Sequence, residues 1–429
     1  KAYNNSDGGR RNYLINDYIG KIGLEKFYEK ILRGIPGVIQ IEQDARGNEK
    51  SEKLISQSTP GKSLRLWLDA GLQKKLEEEL NKSLENVGSK RATAIAMDPR
   101  NGGVLALISI PSFDNNLFSK GISSARLQKI LSDPSKPLFN RAVSAGYVTG
   151  STIKPLIASA ALEEKVVSPQ KQFYANGYIE VSHQYNPAIV YRFNDWKVHG
   201  WTDLRKAIAE SVNVFFYIIG GGYQDFKGLG PERIKKYLEL FGWGKKTGID
   251  FTGENPGLIP GPDWKKKTIK ESWYIGDTYN LSIGQGYIQA TPIQVVDAFA
   301  AIANNGILYK PKVVKEIIDN QSNEIEEIQP EIARSNFIDS GNLQIVREGM
   351  RDAVRYGSAV ILNNLPVKAA AKTGTAQISR EGYYHNWLTV FAPYDNPQIV
   401  LTVVIEDVAG TQLAALPVAQ AVLEWWFTK

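Results

Sequence analysis

The sequence of 429 residues contains no cysteine and only three histidines, His183, His199 and His385. The lack of cysteine argues against a disulfide scaffold, thiol catalysis and a cysteine-ligated metal, and it suits an oxidising compartment. A G-x-S-x-G nucleophile elbow is also missing, which argues against a serine hydrolase of that class. A nucleophilic enzyme with this composition must therefore use an oxygen that a neighbouring group activates.

Long hydrophobic runs are missing too, since no segment reaches the roughly 18 apolar residues that a membrane span needs. The chain begins at Lys1 without an initiating Met or a signal peptide, so we expect an excised fragment. The net charge of +6 is modest, and no concentrated basic stripe predicts nucleic-acid binding. A hydrophobic content of 43% and a charged content of 22% are those of a soluble globular protein, with length for two or three domains.

The segment 149–155 reads T-G-S-T-I-K-P and opens an apolar helical run from Leu156 to Leu162. Residues three apart share one face of a helix, so Lys154 is expected one turn from Ser151, within reach of its hydroxyl. Unpaired backbone N–H groups at a helix start favour a developing anion. A lysine can activate a serine if burial or another cation lowers its pKa toward neutrality.

Two further motifs follow in order along the chain. Residues 211–213 read S-V-N and residues 372–375 read K-T-G-T. The S-x-x-K motif alone is more often a helix cap followed by a solvated lysine. The order S-x-x-K, S-x-N, K-T-G is instead typical of penicillin-binding proteins and related β-lactamases.

The chain resembles a class B penicillin-binding protein, a peptidoglycan D,D-transpeptidase, from about residue 20 to its end. Three further segments look like family signatures: residues 98–106 (D-P-R-N-G-G-V-L-A), residues 140–142 (N-R-A), and residues 284–286 (G-Q-G) with 290–292 (A-T-P). Residues 121–142 look like the elongation group, penicillin-binding protein 2, rather than the division group.

The resemblance implies an α+β fold of the penicillin-binding and serine β-lactamase type. We expect an antiparallel five-stranded sheet packed with helices, together with a helical subdomain. The predicted domains are 1–63, the remainder of a truncated N-terminal pedestal, and 64–429, the transpeptidase domain. Early strands at Thr93 to Met97 and Val104 to Ile108 would pair with late ones that include the K-T-G-T segment.

The resemblance also implies a role for each motif residue. Ser151 would attack a D-Ala-D-Ala peptide bond and form an acyl-enzyme, with Lys154 as the base, either neutral or acting through Ser211. Ser211 would pass a proton to the leaving amine, and Asn213 would bind the substrate backbone. The remaining assignments are Lys372 for positive charge that lowers the pKa of Lys154, Thr373 and Thr375 for the substrate carboxylate, Gly374 for close approach of the substrate, and the backbone N–H groups of Ser151 and Thr375 for the oxyanion hole.

We predict no cofactor and no metal site. Asp195 and His199 are four residues apart and could ligate a metal, but a hydrogen-bonded loop is the interpretation we favour. By resemblance, the substrates and ligands are peptidoglycan stem peptides and β-lactam antibiotics. The implied partners are a membrane glycosyltransferase of the rod-shape machinery and its periplasmic scaffold protein. The implied location is the bacterial inner membrane, with the catalytic domain in the periplasm and the anchoring helix upstream of residue 1.

Two alternatives remain open from the sequence. A β-lactamase or D,D-carboxypeptidase would use water in place of the acceptor amine, although the length and the N-terminal piece disfavour it. A penicillin-sensing or scaffolding module would be acylated once without turnover, and release of D-Ala from a stem peptide would exclude it.

Overall fold

The computed structural model describes Tyr13 and residues 17–119, 121–183 and 186–429. The strands are β1 (Val38–Gln43), β2 (Glu49–Ser56), β3 (Ser63–Leu66), β4 (Ala92–Met97), β5 (Val104–Ile110), β6 (Phe173–Ala175), β7 (Tyr178–His183), β8 (Asn186–Asn194), β9 (Gly200–Thr202), β10 (Leu308–Tyr309), β11 (Val314–Ile318), β12 (Ile325–Glu327), β13 (Ile332–Arg334), β14 (Ala370–Gln377), β15 (Tyr383–Ala392) and β16 (Ile399–Ala409). The helices are α1 (Gly23–Phe27), α2 (Glu29–Leu32), α3 (Ala70–Val87), α4 (Asn116–Ser119), α5 (Ser124–Leu131), α6 (Arg141–Ser144), α7 (Lys154–Glu163), α8 (Leu204–Ala209), α9 (Asn213–Gly221), α10 (Gly230–Leu240), α11 (Pro262–Thr268), α12 (Ile275–Ser282), α13 (Pro292–Ala303), α14 (Ser340–Arg355) and α15 (Ala415–Thr428), with 3₁₀ turns at Gly150–Ile153 and Val360–Asn364.

The chain divides into two compact units. The smaller unit contains the described residues up to Leu66, together with Asp250–Gly253 and Val314–Gln329. The larger unit contains the remaining described residues. This division lies close to the predicted domain boundary after residue 63, but it adds two later segments to the N-terminal unit.

The smaller unit combines a hairpin of β1 and β2 with a three-stranded sheet in the order β12, β11, β3. Its small core is formed by Tyr28, Val314 and Ile317. The Asp250 carboxylate accepts hydrogen bonds from the Tyr28 hydroxyl at 2.8 Å and from the Val314 amide at 3.0 Å. A side chain from far along the sequence therefore holds the helix and the sheet of this unit together.

The larger unit is organised by an antiparallel five-stranded sheet in the order β14, β15, β16, β4, β5. Within this sheet, β4 from the first part of the chain pairs with β16 from near its end, and Val403 lies opposite Ala94. On one face, α3 and α15 bury residues such as Leu76 and Val422. On the other face, α13, which is buried along its whole length, packs against β4, β15 and β16. The predicted fold class is confirmed.

The segment from α7 to α13 is mostly helical, in line with the predicted helical subdomain, but its described residues also form two small two-stranded sheets. One pairs β7 with β8 and the other pairs β6 with β9. These strands were not predicted from the sequence. The strand β14, which carries the K-T-G-T motif, lies at the edge of the five-stranded sheet, so one of its sides is open.

Across the described ranges of the chain, every helix is too short or too polar to cross a membrane.

Candidate active site

The turn that carries Ser151 packs directly against the edge strand β14. Gly150 has a left-handed backbone (φ 53°), and a Cβ there would lie 2.8 Å from the Thr375 carbonyl oxygen. Its amide donates a 2.8 Å hydrogen bond to the Gly284 carbonyl. Only glycine meets both requirements, because the conformation is strained for other residues and no side chain fits. The neighbours Thr149 and Thr152 are buried while Ser151 is partly exposed, so the turn presents its serine to solvent.

Lys154 begins α7 and is fully buried. Its ammonium donates to the Ser211 carbonyl oxygen at 2.7 Å, to the Asn213 Oδ1 atom at 2.7 Å and to the Ser211 hydroxyl at 3.3 Å. The Phe216 ring lies below it, with 5.3 Å between Nζ and the ring centroid. Among the described residues, the expected hydrogen bond to the Ser151 hydroxyl is not formed. The lysine instead ties the nucleophile helix to the S-x-N segment.

The S-x-N segment lies in a break between two helices. The apolar pattern continues from Leu204 to Ile219, but α8 ends at Ala209 and α9 begins at Asn213. Ser211 adopts a left-handed backbone with φ 58°, which costs of order 1–3 kcal/mol for a residue other than glycine. The break turns the Ser211 hydroxyl toward both lysines of the site.

Lys372 reaches the same hydroxyl from β14. Its Nζ donates to the Ser211 Oγ atom at 2.9 Å and to the Thr373 carbonyl oxygen at 2.9 Å. We call Lys154, Lys372 and Ser211 the amine cluster, because two buried amines share one hydroxyl. The cluster brings together residues from α7, the α8–α9 break and β14.

The rest of the K-T-G-T motif shapes the open edge of β14. The Thr373 hydroxyl donates to the Ser358 Oγ atom at 2.8 Å, whereas Thr375 is partly exposed. A Cβ at Gly374 would lie 2.9 Å from the Thr149 carbonyl oxygen. Close packing of the nucleophile turn is therefore a second reason for glycine there, besides the substrate approach that the sequence suggested.

Burial is the main electrostatic influence on the amine cluster. It lowers the pKa of Lys154 to about 7, against the opposing charge of Asp195. Burial, and then the charge of Lys154, hold the pKa of Lys372 well below its ordinary value. The sequence allowed burial or another cation as the cause of a lowered Lys154 pKa, and the resemblance assigned that role to Lys372; the structure shows burial as the cause that lowers it. At neutral pH a substantial share of Lys154 is thus unprotonated and able to accept a proton.

A second buried cluster supports the nucleophile turn from behind. The Trp387 Nε1 atom donates to the Val148 carbonyl oxygen at 3.2 Å. The neighbouring Tyr147 hydroxyl donates to Glu406 at 2.7 Å, and Glu406 also accepts from Arg141 at 2.9 Å. Arg91 lies 3.0 Å from the other Glu406 oxygen. We call these four residues, Tyr147, Glu406, Arg141 and Arg91, the Glu406 cluster.

Asp195 and His199 lie beside the S-x-N segment. The His199 Nδ1 atom is 2.6 Å from the Glu210 Oε2 atom, and its Nε2 atom is 3.7 Å from the Asp195 Oδ1 atom. In the described part of the chain, no group of three or more His, Asp or Glu side chains is placed to hold a metal ion. The preference for a hydrogen-bonded loop stays a prediction.

His385 lies on β15 with its ring edge-on to Tyr147.

Sequence reasoning did not assign Ser358, Phe216, Asp195 or Glu406 to the site. A signal was available for Glu406, because two adjacent acidic residues, Glu406 and Asp407, directly follow the apolar run from Ile399 to Ile405, and acidic residues are unusual in a central strand. Asp195 was noted only as a metal candidate. Ser358 and Phe216 carry no local signal, since their positions depend on how distant segments pack.

Comparison with known proteins agrees with this geometry. Residues 92–424 match the penicillin binding protein transpeptidase domain, and residues 2–66 match the penicillin-binding protein dimerisation domain. The peptidoglycan D,D-transpeptidase MrdA of Haemophilus influenzae is 34% identical over 97% of this chain. The chain spans 64% of the length of that relative.

Two solved structures of penicillin-binding protein 2 are similar to this one. The Pseudomonas aeruginosa protein in complex with WCK 5153 has a TM-score of 0.79 and 32% identity, covering 96% of this chain and 84% of that one. The Helicobacter pylori protein in complex with MreC has a TM-score of 0.80 and 32% identity, covering 95% of this chain and 72% of that one. From the matched transpeptidase domain and these relatives, we conclude that the chain belongs to the family of penicillin-binding protein transpeptidases, in the penicillin-binding protein 2 group.

Proposed function

We propose that the chain is a serine-type peptidoglycan D,D-transpeptidase that cross-links stem peptides through an acyl-enzyme on Ser151. The observation that carries this proposal is the amine cluster beside a partly exposed serine. Lys154 and Lys372 are both fully buried and meet at the Ser211 hydroxyl. Such an arrangement provides a base and a proton path next to a nucleophile, which is what acyl transfer needs.

In the acylation step, the Ser151 Oγ atom attacks the carbonyl carbon of the terminal D-Ala-D-Ala bond. Its proton passes to neutral Lys154, which is available because the pKa of that lysine is about 7. The backbone N–H groups of Ser151 and Thr375 stabilise the oxyanion, and each donor is worth about 3 kcal/mol in well-studied hydrolases. As the C–N bond breaks, the Ser211 hydroxyl delivers a proton to the leaving D-Ala amine and takes the proton from protonated Lys154, so both groups return to their starting state. Attack by the amine of a second stem peptide then releases Ser151.

Substrate binding uses the open edge of β14. An extended peptide can add to an exposed strand edge through main-chain hydrogen bonds. The terminal carboxylate of a bound peptide would favour the protonated form of Lys372, because an opposite charge raises the pKa of a lysine, and the hydroxyls of Thr373 and Thr375 would bind that carboxylate. Asn213 contacts the peptide backbone. Gln285 borders the same place, with its Nε2 atom 3.5 Å from the Thr375 carbonyl oxygen.

The relatives support a place for this activity in cell-wall elongation. The Helicobacter pylori penicillin-binding protein 2 was solved with MreC, and another similar structure, at a TM-score of 0.80 and 30% identity, describes a peptidoglycan synthase complex. We infer that the chain acts at the inner membrane on its periplasmic side. Its partners there would be a rod-shape glycosyltransferase and a periplasmic scaffold protein, and β-lactams would inhibit it by acylating Ser151. The division into domains 1–63 and 64–429 also remains a proposal.

The first test is the intact mass of the protein over time with excess penicillin, beside Ser151→Ala. A stable adduct on the wild type that is lost in the variant is the expected result. A transient adduct with hydrolysis of the drug would favour the β-lactamase alternative. The absence of any adduct on a protein that circular dichroism shows to be folded would overturn the proposal.

A second assay separates the transpeptidase from a sensing module and from a carboxypeptidase. The protein is incubated with a pentapeptide donor and an amine acceptor, and the released D-Ala and the cross-linked product are measured. Both are expected for the wild type and neither for Ser151→Ala. D-Ala release without cross-linking would indicate a carboxypeptidase, and a stable drug adduct without D-Ala release would indicate the sensing module.

A further inference from the structure

The loop from Asp195 to His199 lies between β8 and β9 and is fixed by its backbone. The Asp195 amide donates to the Gly177 carbonyl at 2.8 Å, and the His199 amide donates to the Ala175 carbonyl at 3.0 Å. The side chains of Asp195 and His199 are both fully buried. Two titratable groups are thus held inside the larger unit, and the mechanism above uses neither of them.

Asp195 completes the start of α9. The residue before that helix, Val212, has no side-chain acceptor, so it cannot cap the first free N–H groups. The Asp195 Oδ2 atom accepts from the Val214 amide at 2.8 Å instead. A carboxylate at a helix N-terminus is favoured both by this hydrogen bond and by the helix dipole. The position of Asn213, the first residue of α9, therefore depends on Asp195.

The same loop also holds the other side of the Ser211 turn. Glu210, which directly precedes Ser211, lies 2.6 Å from the His199 Nδ1 atom. The strained backbone of Ser211 is thus fixed before the turn through His199 and after it through Asp195. Backbone strain persists only where surrounding contacts enforce it.

We propose that Asp195 is a positioning residue for the acylation of Ser151, because it holds Asn213 and Ser211 where Lys154 and Lys372 contact them. This inference rests on the proposed function. It assigns Asp195 no direct contact with the substrate. It predicts that loss of this side chain slows acylation although every motif residue remains.

Asp195 also contributes charge to the site. Its carboxylate opposes the depression of the Lys154 pKa, and the charge of Lys154 in turn helps to lower the pKa of Asp195. The other titratable and charged groups around Lys154 and Asp195 are Lys372, His199, Tyr217, Glu210, Lys197 and Lys206. An Asp195→Asn change keeps an acceptor for the Val214 amide but removes the anion. The pKa of Lys154 should therefore fall in that variant.

The test compares the second-order rate constant of penicillin acylation in the wild type, Asp195→Asn and Asp195→Ala between pH 5 and pH 9. We expect Asp195→Ala to lose roughly 100-fold, since small misplacements of catalytic groups cost about that much. For Asp195→Asn we expect a smaller loss, and an acid limb of the pH profile displaced to lower pH by about one unit. A purely structural role would not move that limb.

The matched control is Asp339→Asn, because Asp339 caps α14 in the same way. Its carboxylate accepts from the Gly341 amide at 2.8 Å and from the Asn342 amide at 3.2 Å. We expect that variant to keep the wild-type acylation rate and pH profile. Thermal unfolding of each variant identifies any that is misfolded, and the shape-conserving Asp195→Asn decides the case if Asp195→Ala does not fold.

The outcomes separate the two proposals. If the wild type is acylated and Asp195→Asn has the same rate and the same acid limb, the positioning role is overturned and the proposed function stays intact. Wild type that is not acylated overturns the proposed function and this inference with it. Equal effects in Asp195→Asn and Asp339→Asn would show a general consequence of cap loss and would also overturn the positioning role.

Discussion

The amine cluster and the Glu406 cluster are both buried groups of polar side chains in the larger unit, but their charges are balanced differently. In the Glu406 cluster, one carboxylate receives hydrogen bonds or ion pairs from Tyr147, Arg141 and Arg91. In the amine cluster, Lys154 and Lys372 donate only to neutral oxygen atoms. Burial therefore drives the lysines toward their neutral form, whereas the arginines have a carboxylate of opposite charge beside them.

The difference separates a site for chemistry from a support for structure. Titratable groups with strongly shifted pKa values concentrate where proton transfer takes place, because a base must be close to neutral at working pH. A matched ion pair cannot exchange protons at neutral pH but can fix a turn. The nucleophile turn lies in sequence between Tyr147 of the Glu406 cluster and Lys154 of the amine cluster. The amine cluster supplies its base, and the Glu406 cluster helps to fix its position.

The largest expected effect comes from Lys154→Met, which keeps the length of the side chain and removes the amine. We expect acylation by penicillin to slow by roughly a thousandfold or more, because general bases contribute on that scale. Folding stability should be equal to that of the wild type or higher, since a buried amine without a carboxylate partner is replaced by an apolar group. Stopped-flow acylation and urea unfolding measure the two quantities. An acylation rate within tenfold of the wild type would contradict the role of Lys154.

The second effect comes from Glu406→Gln, which leaves the buried Arg141 without its carboxylate. We expect a loss of about 3 kcal/mol in the free energy of unfolding, since removing one partner of a buried ion pair strands the other charge. The acylation rate of the folded fraction should fall far less than in Lys154→Met, because the nucleophile turn loses part of its support but the base remains. The control is Lys368→Met, which breaks an exposed pair with Asp395 at 3.2 Å and should cost less than about 1 kcal/mol. Equal losses in both variants would remove the distinction between the clusters.

The pH dependence of the wild type should reflect the shifted pKa of Lys154. Acylation is expected to increase as the pH rises through about 7, where this lysine loses its proton. Between pH 7 and its ordinary value of 10.5, the unfolded chain binds more protons at Lys154 than the folded chain does. Folding stability relative to Lys154→Met should therefore rise across that window and stay constant below it. If acylation does not rise near pH 7 and stability relative to Lys154→Met does not rise above pH 7, Lys154 is not the base.

The smallest effect concerns Asp297 in α13, a buried carboxyl whose Oδ1 atom has no hydrogen-bond partner among the described residues. Burial, and then the charge of Glu254, raise its pKa well above the ordinary 3.8. The folded state thus binds the extra proton, and stability falls as the pH rises above that value. Asp297→Asn should stabilise the protein by about 1 kcal/mol at pH 8 and by less at pH 4, measured by urea unfolding. An unchanged acylation rate would show that an unbalanced buried charge alone does not make a reactive site.

The five-stranded sheet was implied by the family resemblance, whereas local patterns indicated the three motifs and several of the strands. Apolar or alternating runs indicated β4, β5 and β16, and the D-P-R-N-G-G segment indicated the hairpin of β4 and β5. The break at Ser211 was not predicted, because the apolar pattern continues across it and the strain is enforced by contacts from a different loop. The strands β7 and β8 were not predicted. In the structure, burial alternates only partly along Tyr178 to His183.

The candidate site could be predicted as a set of residues but not as an arrangement. The motif spacing placed Lys154 near Ser151, and the structure directs its ammonium to Ser211 and Asn213. The contacts of Asp195 and Glu406 join segments that are distant in sequence, so the sequence does not show which groups they touch, although the acidic pair at Glu406 is unusual for a central strand. Desolvation likewise depends on the complete fold, so the sequence could name burial as one possible cause of a lowered lysine pKa but could not choose between burial and a neighbouring cation.

The smaller unit combines segments that are far apart in sequence, and this affects when it can fold during synthesis. β3 pairs with β11, and Arg65 forms a 2.6 Å salt bridge with Glu316, which lies 251 residues later in the chain. The Tyr28 hydroxyl likewise donates to Asp250, which is synthesised much later than Tyr28. While the ribosome makes the intervening residues, β3 has an open edge and Tyr28 has no carboxylate partner. The strand β3 is therefore synthesised long before its partner β11, and a chain that ends before residue 314 is expected to expose this edge to proteases and chaperones.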